Sequence, residues 1–109
     1  MDHQAPMQGT DMTRTRVLNR LAAEVGSWQW KRIAREIGLT DAEIDAIEEF
    51  APTNLHEKAY QTFHHWKMKK GNCATLDVLA GHLRAINMAA LADKLEDLRN
   101  QNDDFPDLK

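Results

Sequence analysis

The stretch Trp30-Lys31-Arg32-Ile33-Ala34-Arg35-Glu36-Ile37-Gly38-Leu39-Thr40-Asp41-Ala42-Glu43-Ile44-Asp45-Ala46-Ile47-Glu48 holds one helix, its stop and the start of the next. Trp30, Ile33, Ala34 and Ile37 recur at helical spacing and make one face apolar. Gly38 follows the last of them and predicts the C-terminal stop. Thr40-Asp41-Ala42-Glu43 has the spacing of a capping box. The Thr40 hydroxyl can accept from the Glu43 amide, and the Glu43 carboxylate from the Thr40 amide. Asp41 and Glu43 also sit where the positive end of a helix dipole favours acids. Ile44 and Ile47 resume the apolar face. Pro52 disfavours helix at the residue before it, so this helix should end near Phe50-Ala51.

Working outward, every periodic stretch reads as helix, and the alternations expected of strands are missing. Val17, Leu18, Leu21, Ala22 and Val25 predict a first helix ending at Gly26, and Ser27 is a fair N-cap for the second. Asn54 starts a fourth, long helix carrying Leu55, Ala59, Phe63 and Trp66. Its last turn holds Lys67, Lys69 and Lys70, which suit the negative dipole end, and Gly71 follows. Thr75 caps a fifth helix with Leu76, Leu79, Leu83 and Ile86 inward. Asn87 is expected to cap a sixth with Leu91, Ala92, Leu95 and Leu98 inward. The expected fold is an all-α, six-helix antiparallel bundle with short connections. Its core should be built on Leu21, Trp30, Ile33, Ile44, Ile47, Phe63, Trp66, Leu79, Leu83 and Leu95. Trp28 lies ~200° round the helix from Trp30, so both cannot enter one core. Trp28 either covers the first helix or stands exposed as an interaction anchor.

A chain of 109 residues is enough for one domain. The folded unit is expected over residues 13–100, between a flexible N-terminal segment (1–12) and a flexible acidic tail (101–109). A single cysteine, Cys73, excludes an intramolecular disulfide and a multi-cysteine zinc site. No apolar run approaches the ~18 residues of a membrane span. Residues Met1 to Asp11 lack the basic stretch and apolar core of a secretory signal. The simplest compartment is the cytoplasm, with no insertion into a membrane.

The formal net charge of −3 hides a segregation along the chain. Residues 13–36 carry +4, residues 40–57 carry −6 with no Lys or Arg, and residues 58–71 carry +4. Blocks of this kind can place opposite charges on different faces of one small domain. The second helix offers Lys31, Arg32 and Arg35. The third offers Asp41, Asp45, Glu48 and Glu49. Arg32 and Glu36 can form one i, i+4 pair in the less favourable orientation. The remaining charges favour docking to another protein. Complementary faces on one domain allow heterologous, head-to-tail association into higher oligomers.

Other chemistries are weaker. Cys73 near a helix N-terminus could be a nucleophile, with His64, His65 and His82 as bases, but scattered partners make a poor signal. No catalytic residue is assigned. His56 and His64 lie two turns apart, ~12 Å, too far for one metal ion. There is no His pair at i, i+4 and no Gly-rich phosphate loop, so no metal or other cofactor is expected. The alternative function is a small helical nucleic-acid-binding module. Arg14, Arg16, Arg20, Lys31, Arg32 and Arg35 could meet phosphates, and a helix-turn-helix can be drawn across residues 17–37. The adjacent acidic block argues against it, so no nucleic-acid partner is expected.

Residues 13–99 resemble a death domain, the six-helix bundle of apoptotic and innate-immune adaptors. The resemblance is carried by the 30–48 stretch, by Pro52-Thr53-Asn54-Leu55-His56-Glu57, by Trp66 and by Ala74-Thr75-Leu76. Leu83-Arg84-Ala85-Ile86-Asn87-Met88 and Leu91-Ala92-Asp93 complete it. The run Pro-x-Asn-Leu-x-Glu is most similar to death domains of the Fas-associated adaptor type. The resemblance implies a Greek-key order of helices and a non-catalytic adaptor. Such domains bind other death domains in receptor tails or fellow adaptors. They use faces of the first and fourth helices, of the second and third, and helix ends. In the Fas-associated type, bases of the second helix and acids of the third contribute to receptor contact. The matching positions here are Lys31, Arg32, Arg35, Asp41 and Asp45. A full adaptor of that type also carries an N-terminal death effector domain, which this sequence does not supply, so caspase recruitment by this chain is not expected.

Overall fold

The computed structural model describes residues 15–103, and side chains for residues 15–100. The expectations for residues 1–12 and 104–109 lie outside the described residues. Among those described there are six α-helices and no strand. They are α1 (15–22), α2 (Gln29–Glu36), α3 (Asp41–Phe50), α4 (Leu55–Lys70), α5 (Leu76–Ala85) and α6 (Ala89–Asp103). A 3₁₀ turn, Gly71–Cys73, joins α4 to α5.

The first helix stops sooner than Gly26 suggested. After Ala22 the amides of Ala23, Glu24 and Val25 bond three residues back, to Arg20, Leu21 and Ala22. This tightened turn satisfies the end of the helix and keeps Val25 buried.

Ser27 does not cap α2, contrary to expectation. The boundary residue is Trp28, which makes no side-chain cap bond. The cap is supplied from inside the helix instead. The Gly26 amide donates to Oε1 of Gln29 at 2.7 Å, and the Gln29 amide donates to the Gly26 carbonyl at 3.0 Å.

The end of α2 follows its expected stop. Gly38 has φ +99°, which L side chains disfavour. The Gly38 amide bonds to the Arg35 carbonyl at 3.2 Å, and the Leu39 amide to the Ala34 carbonyl at 2.9 Å. This is a Schellman motif, and it buries Leu39. Two residues on, the capping box of α3 is formed. The Thr40 hydroxyl accepts from the Glu43 amide at 3.1 Å, and the Thr40 amide donates to Glu43 Oε1 at 2.8 Å. The helix ends at Phe50, before Pro52.

Asn54 caps α4 by accepting from the Glu57 amide at 3.0 Å, and Thr75 caps α5 by accepting from the Val78 amide at 3.2 Å. Asn87 was expected to cap α6, and the structure gives it another role. Its φ is +63°. Its amide bonds to the Arg84 carbonyl at 3.1 Å, and the next amide, Met88, bonds to the Leu83 carbonyl at 2.9 Å. Asn87 therefore ends α5 by the same Schellman geometry as Gly38. Asn tolerates this left-handed backbone better than most residues. The sixth helix begins two residues later and runs to Asp103, three residues beyond the expected domain end.

One contiguous core runs through the bundle. Helix α4 packs on α2 and α3, and α5 lies along α6 and also touches α2. Leu21, Trp30, Ile33, Ile44, Ile47, Phe63, Trp66, Leu79, Leu83 and Leu95 are all buried. Leu55, Leu76 and Ile86 are partly buried at its margin. The one buried polar side chain among the described residues, Thr62, donates to the Lys58 carbonyl at 2.9 Å. No helix among them is long and apolar enough to cross a membrane.

Candidate functional site

The core fixes which way α2 and α3 face. On α2, burial of Trp30, Ile33, Ala34 and Ile37 turns Arg32 and Arg35 to solvent. On α3, burial of Ile44 and Ile47 does the same for Asp41, Asp45 and Glu49. The acids recur every four residues and so form one stripe over two turns. None of these five side chains makes an ion pair or side-chain hydrogen bond among the described residues.

Lys31 and Glu48 behave differently. They pair with each other at 3.2 Å, from α2 to α3. Lys31 Nζ also stands 5.7 Å from the centre of the Trp30 ring, and Lys58 of α4 stands at the same distance from that ring. Two ammonium groups thus flank the ring of one buried tryptophan. Of the seven expected docking residues, these two pair with each other across α2 and α3, and the other five make no ion pair among the described residues.

The expected Arg32–Glu36 pair is not formed. Glu36 turns instead to His82 of α5, with Nδ1 3.0 Å from Oε2. The partner is 46 residues away in sequence, and only packing of α2 on α5 brings it near. At the junction of α2 and α3, Lys69 of α4 donates to the Gly38 carbonyl at 2.9 Å and to Glu43 Oε1 at 3.0 Å. The Thr40 amide first, then Lys69, hold the Glu43 carboxyl below its ordinary range.

A second face lies on α1 and α4. His56 Nε2 donates to the Asn19 carbonyl at 2.9 Å, and Lys67 Nζ to the Thr15 hydroxyl at 2.9 Å. Between them an open cleft of about 360 Å³ is lined by Thr15, Arg16, Asn19 and Tyr60. Tyr60 stacks on His64, with ring centres 6.1 Å apart. The histidines of α4 and α5 that have partners are thus held by protein groups. Among the described residues no three His, Cys, Asp or Glu side chains converge as a metal site. Cys73 is exposed on the 3₁₀ turn.

Sequence leaves Trp28 between two roles, covering α1 or standing exposed, and gives Phe50 none beyond the end of α3. Trp28 is 64% exposed and Phe50 67%. Its ~200° offset from Trp30 was the signal for Trp28, and exposure is the outcome. Phe50 follows buried Ile47 by three residues, a spacing that points inward. It is exposed because it ends α3, and Ala51 takes the inward place beside it.

A family model described as Death domain matches residues 15–99. The human protein named FAS-associated death domain protein is 33% identical over 85 residues, covering 78% of this chain and 40% of that protein. The bovine (Bos taurus) protein of the same name is 37% identical over 68 residues, covering 62% of this chain and 32% of the relative. Human Receptor-interacting serine/threonine-protein kinase 1 is 31% identical over 98 residues, which is 88% of this chain and 14% of the kinase. The chain therefore spans two-fifths or less of the length of these curated relatives.

Proposed function

This chain belongs to the death-domain family, and from that premise we propose that it is a non-catalytic adaptor module. It docks onto death domains of other proteins, in receptor tails or in fellow adaptors, within cytoplasmic apoptotic or innate-immune signalling. The observation that carries this reading is a set of five charges on two adjacent helices that make no ion pair among the described residues. Arg32 and Arg35 stand on α2, and Asp41, Asp45 and Glu49 on α3. They are presented by a scaffold that already satisfies its own polar groups, since no buried side-chain polar atom among the described residues lacks a partner. Charges held on a rigid surface steer encounter and select partners more than they add raw affinity. The unlike sign of the two faces also supports self-association through heterologous contacts. The acidic stripe beside the arginines favours a protein partner over a nucleic acid, whose phosphates it would repel.

The test is binding of the purified chain to isolated death domains, measured for wild type, Arg32→Glu and Arg35→Glu. Each reversal should weaken binding by ~1–3 kcal/mol without lowering thermal stability. Wild-type binding should also fall as salt is raised. Unchanged affinity and unchanged salt dependence in both variants would overturn the reading. Uptake of a nucleic-acid duplex at about 150 mM salt, lost in the same variants, would favour the phosphate-binding alternative instead.

A further inference from the structure

We propose that the open cleft between α1 and α4 is a binding site for a small phosphate monoester. This is independent of the docking reading above and concerns a different pair of helices.

The cleft has a volume of about 360 Å³ and is lined by Thr15, Arg16, Asn19 and Tyr60. Its walls are fixed before any ligand arrives. Lys67 Nζ donates to the Thr15 hydroxyl at 2.9 Å, and His56 Nε2 donates to the Asn19 carbonyl at 2.9 Å. Both bonds join α1 to α4. On α1, burial of Val17, Leu18 and Leu21 turns Arg16 and Asn19 outward. Tyr60 is half-buried and stacked on His64, with ring centres 6.1 Å apart.

The lining is rich in donors and contains no acid. Arg16 brings a planar fork of five N–H groups and makes no ion pair among the described residues. The Thr15 hydroxyl accepts from Lys67, which leaves its own O–H to donate. Asn19 gives only its backbone carbonyl to His56, so its side-chain amide adds two more N–H groups. Neither α1 nor α4 from Lys58 to Lys70 carries an Asp or Glu. A site of donors and cations without an acid calls for an oxyanion.

The charge selects which oxyanion. Arg16 and Lys67 put two cations at the cleft. A carboxylate answers one of them. A phosphate monoester carries about −1.5 to −2 at pH 7 and three strong acceptor oxygens, and the guanidinium fork can hold two of those oxygens in parallel. The size selects the ester. A cleft of this volume lies near the ~300 Å³ lower end of small-molecule sites, more than a bare phosphate fills. The remaining room takes the organic part of the ester, against Tyr60.

Titration of the full chain with adenosine monophosphate, followed by amide NMR shifts, tests this. Shifts should saturate and concentrate in α1 and in α4 between His56 and Lys67. Inorganic phosphate should compete at the same residues, and adenosine should shift none of them. Arg16→Gln should weaken binding about tenfold or more while leaving thermal unfolding unchanged. Lys94→Gln removes the same charge from α6, outside the lining, and should bind like wild type. Shifts that never saturate, or that spread over the whole surface, overturn the proposal. So does adenosine that binds as well as its monophosphate, or inorganic phosphate that fails to compete. An Arg16→Gln variant that binds like wild type overturns it too. Equal losses in Arg16→Gln and Lys94→Gln would do the same, because they would reduce the effect to total charge.

Discussion

Glu43 on α3 and Lys69 on α4 stand 3.0 Å apart, with Lys69 also bonded to the carbonyl of Gly38 at 2.9 Å. One ammonium group thus fastens the stop of α2 and the start of α3 to the end of α4. Glu43 does two jobs at once, because the same Oε1 accepts from the Thr40 amide.

This arrangement gives a pH dependence of definite sign. The Thr40 amide first, and Lys69 second, lower the Glu43 pKa in the folded state. A lowered carboxylate pKa contributes stability above the unfolded value, and that contribution is lost as pH falls through the folded value. Glu43→Gln should therefore be less stable than wild type at neutral pH. The gap should close as pH drops below the ordinary carboxylate range. Chemical denaturation at neutral and acid pH measures it, and a gap that stays constant or widens in acid would contradict the assignment. Thr40→Ala, which removes the other half of the box, should cost about 1 kcal/mol.

Two glycines should respond in opposite directions to alanine. Gly81 lies inside α5 with nothing within 4 Å of where a Cβ would stand. Alanine loses less backbone entropy there, so Gly81→Ala should stabilise by ~1 kcal/mol. Gly38 has equal space but a φ of +99°, and Gly38→Ala should destabilise by about 1–2 kcal/mol. Thermal melts of the pair decide it. A destabilised Gly81→Ala would mean that α5 is not regular at that point.

Much of this fold could be read from spacing alone, because helix caps and apolar stripes are local. The Thr40–Glu43 box, the Gly38 stop and the Asn54 and Thr75 caps need residues within four positions of one another. The misses share one cause, which is that a residue's type suits more than one role. Ser27 suits a cap, but α2 starts one residue later than that role requires, and Gln29 reaches back to do the work. Asn87 suits an N-cap and a left-handed stop equally, and the end of α5 at Ala85, two residues upstream, decides between them. The site was half legible. Charge segregation pointed to Arg32, Arg35, Asp41, Asp45 and Glu49, but could not separate them from Lys31 and Glu48, which pair across helices. Sequence spacing matches Glu36 with Arg32, the nearer base, and Glu36 pairs instead with His82 on another helix.

Asn87 allows the two roles to be told apart by experiment. As the left-handed stop of α5 it should accept Gly with little change, since Gly adopts positive φ freely. Thr is an adequate N-cap but a poor left-handed residue, being β-branched. Asn87→Thr should therefore cost about 1–2 kcal/mol. Equal stability of the Thr variant and wild type would return Asn87 to the start of α6.

The tryptophans give the sharpest contrast between scaffold and surface. Trp66 is 1% exposed on α4 and joins the same core as Phe63, Leu79 and Leu95. Trp66→Ala removes the largest of the fully buried side chains and leaves a cavity that the surrounding helices can only partly close. The cost should be about 3–5 kcal/mol, a large share of the ~5–15 kcal/mol that holds a domain folded. With a slope near 4–8 °C per kcal/mol for a domain this small, the melting point should fall by about 15 °C or more. Trp28→Ala, at a residue 64% exposed, should move it by no more than about 0.5 kcal/mol. Differential scanning calorimetry of the two variants side by side checks both. A Trp66 variant that melts near wild type would mean that the core is not organised around α4.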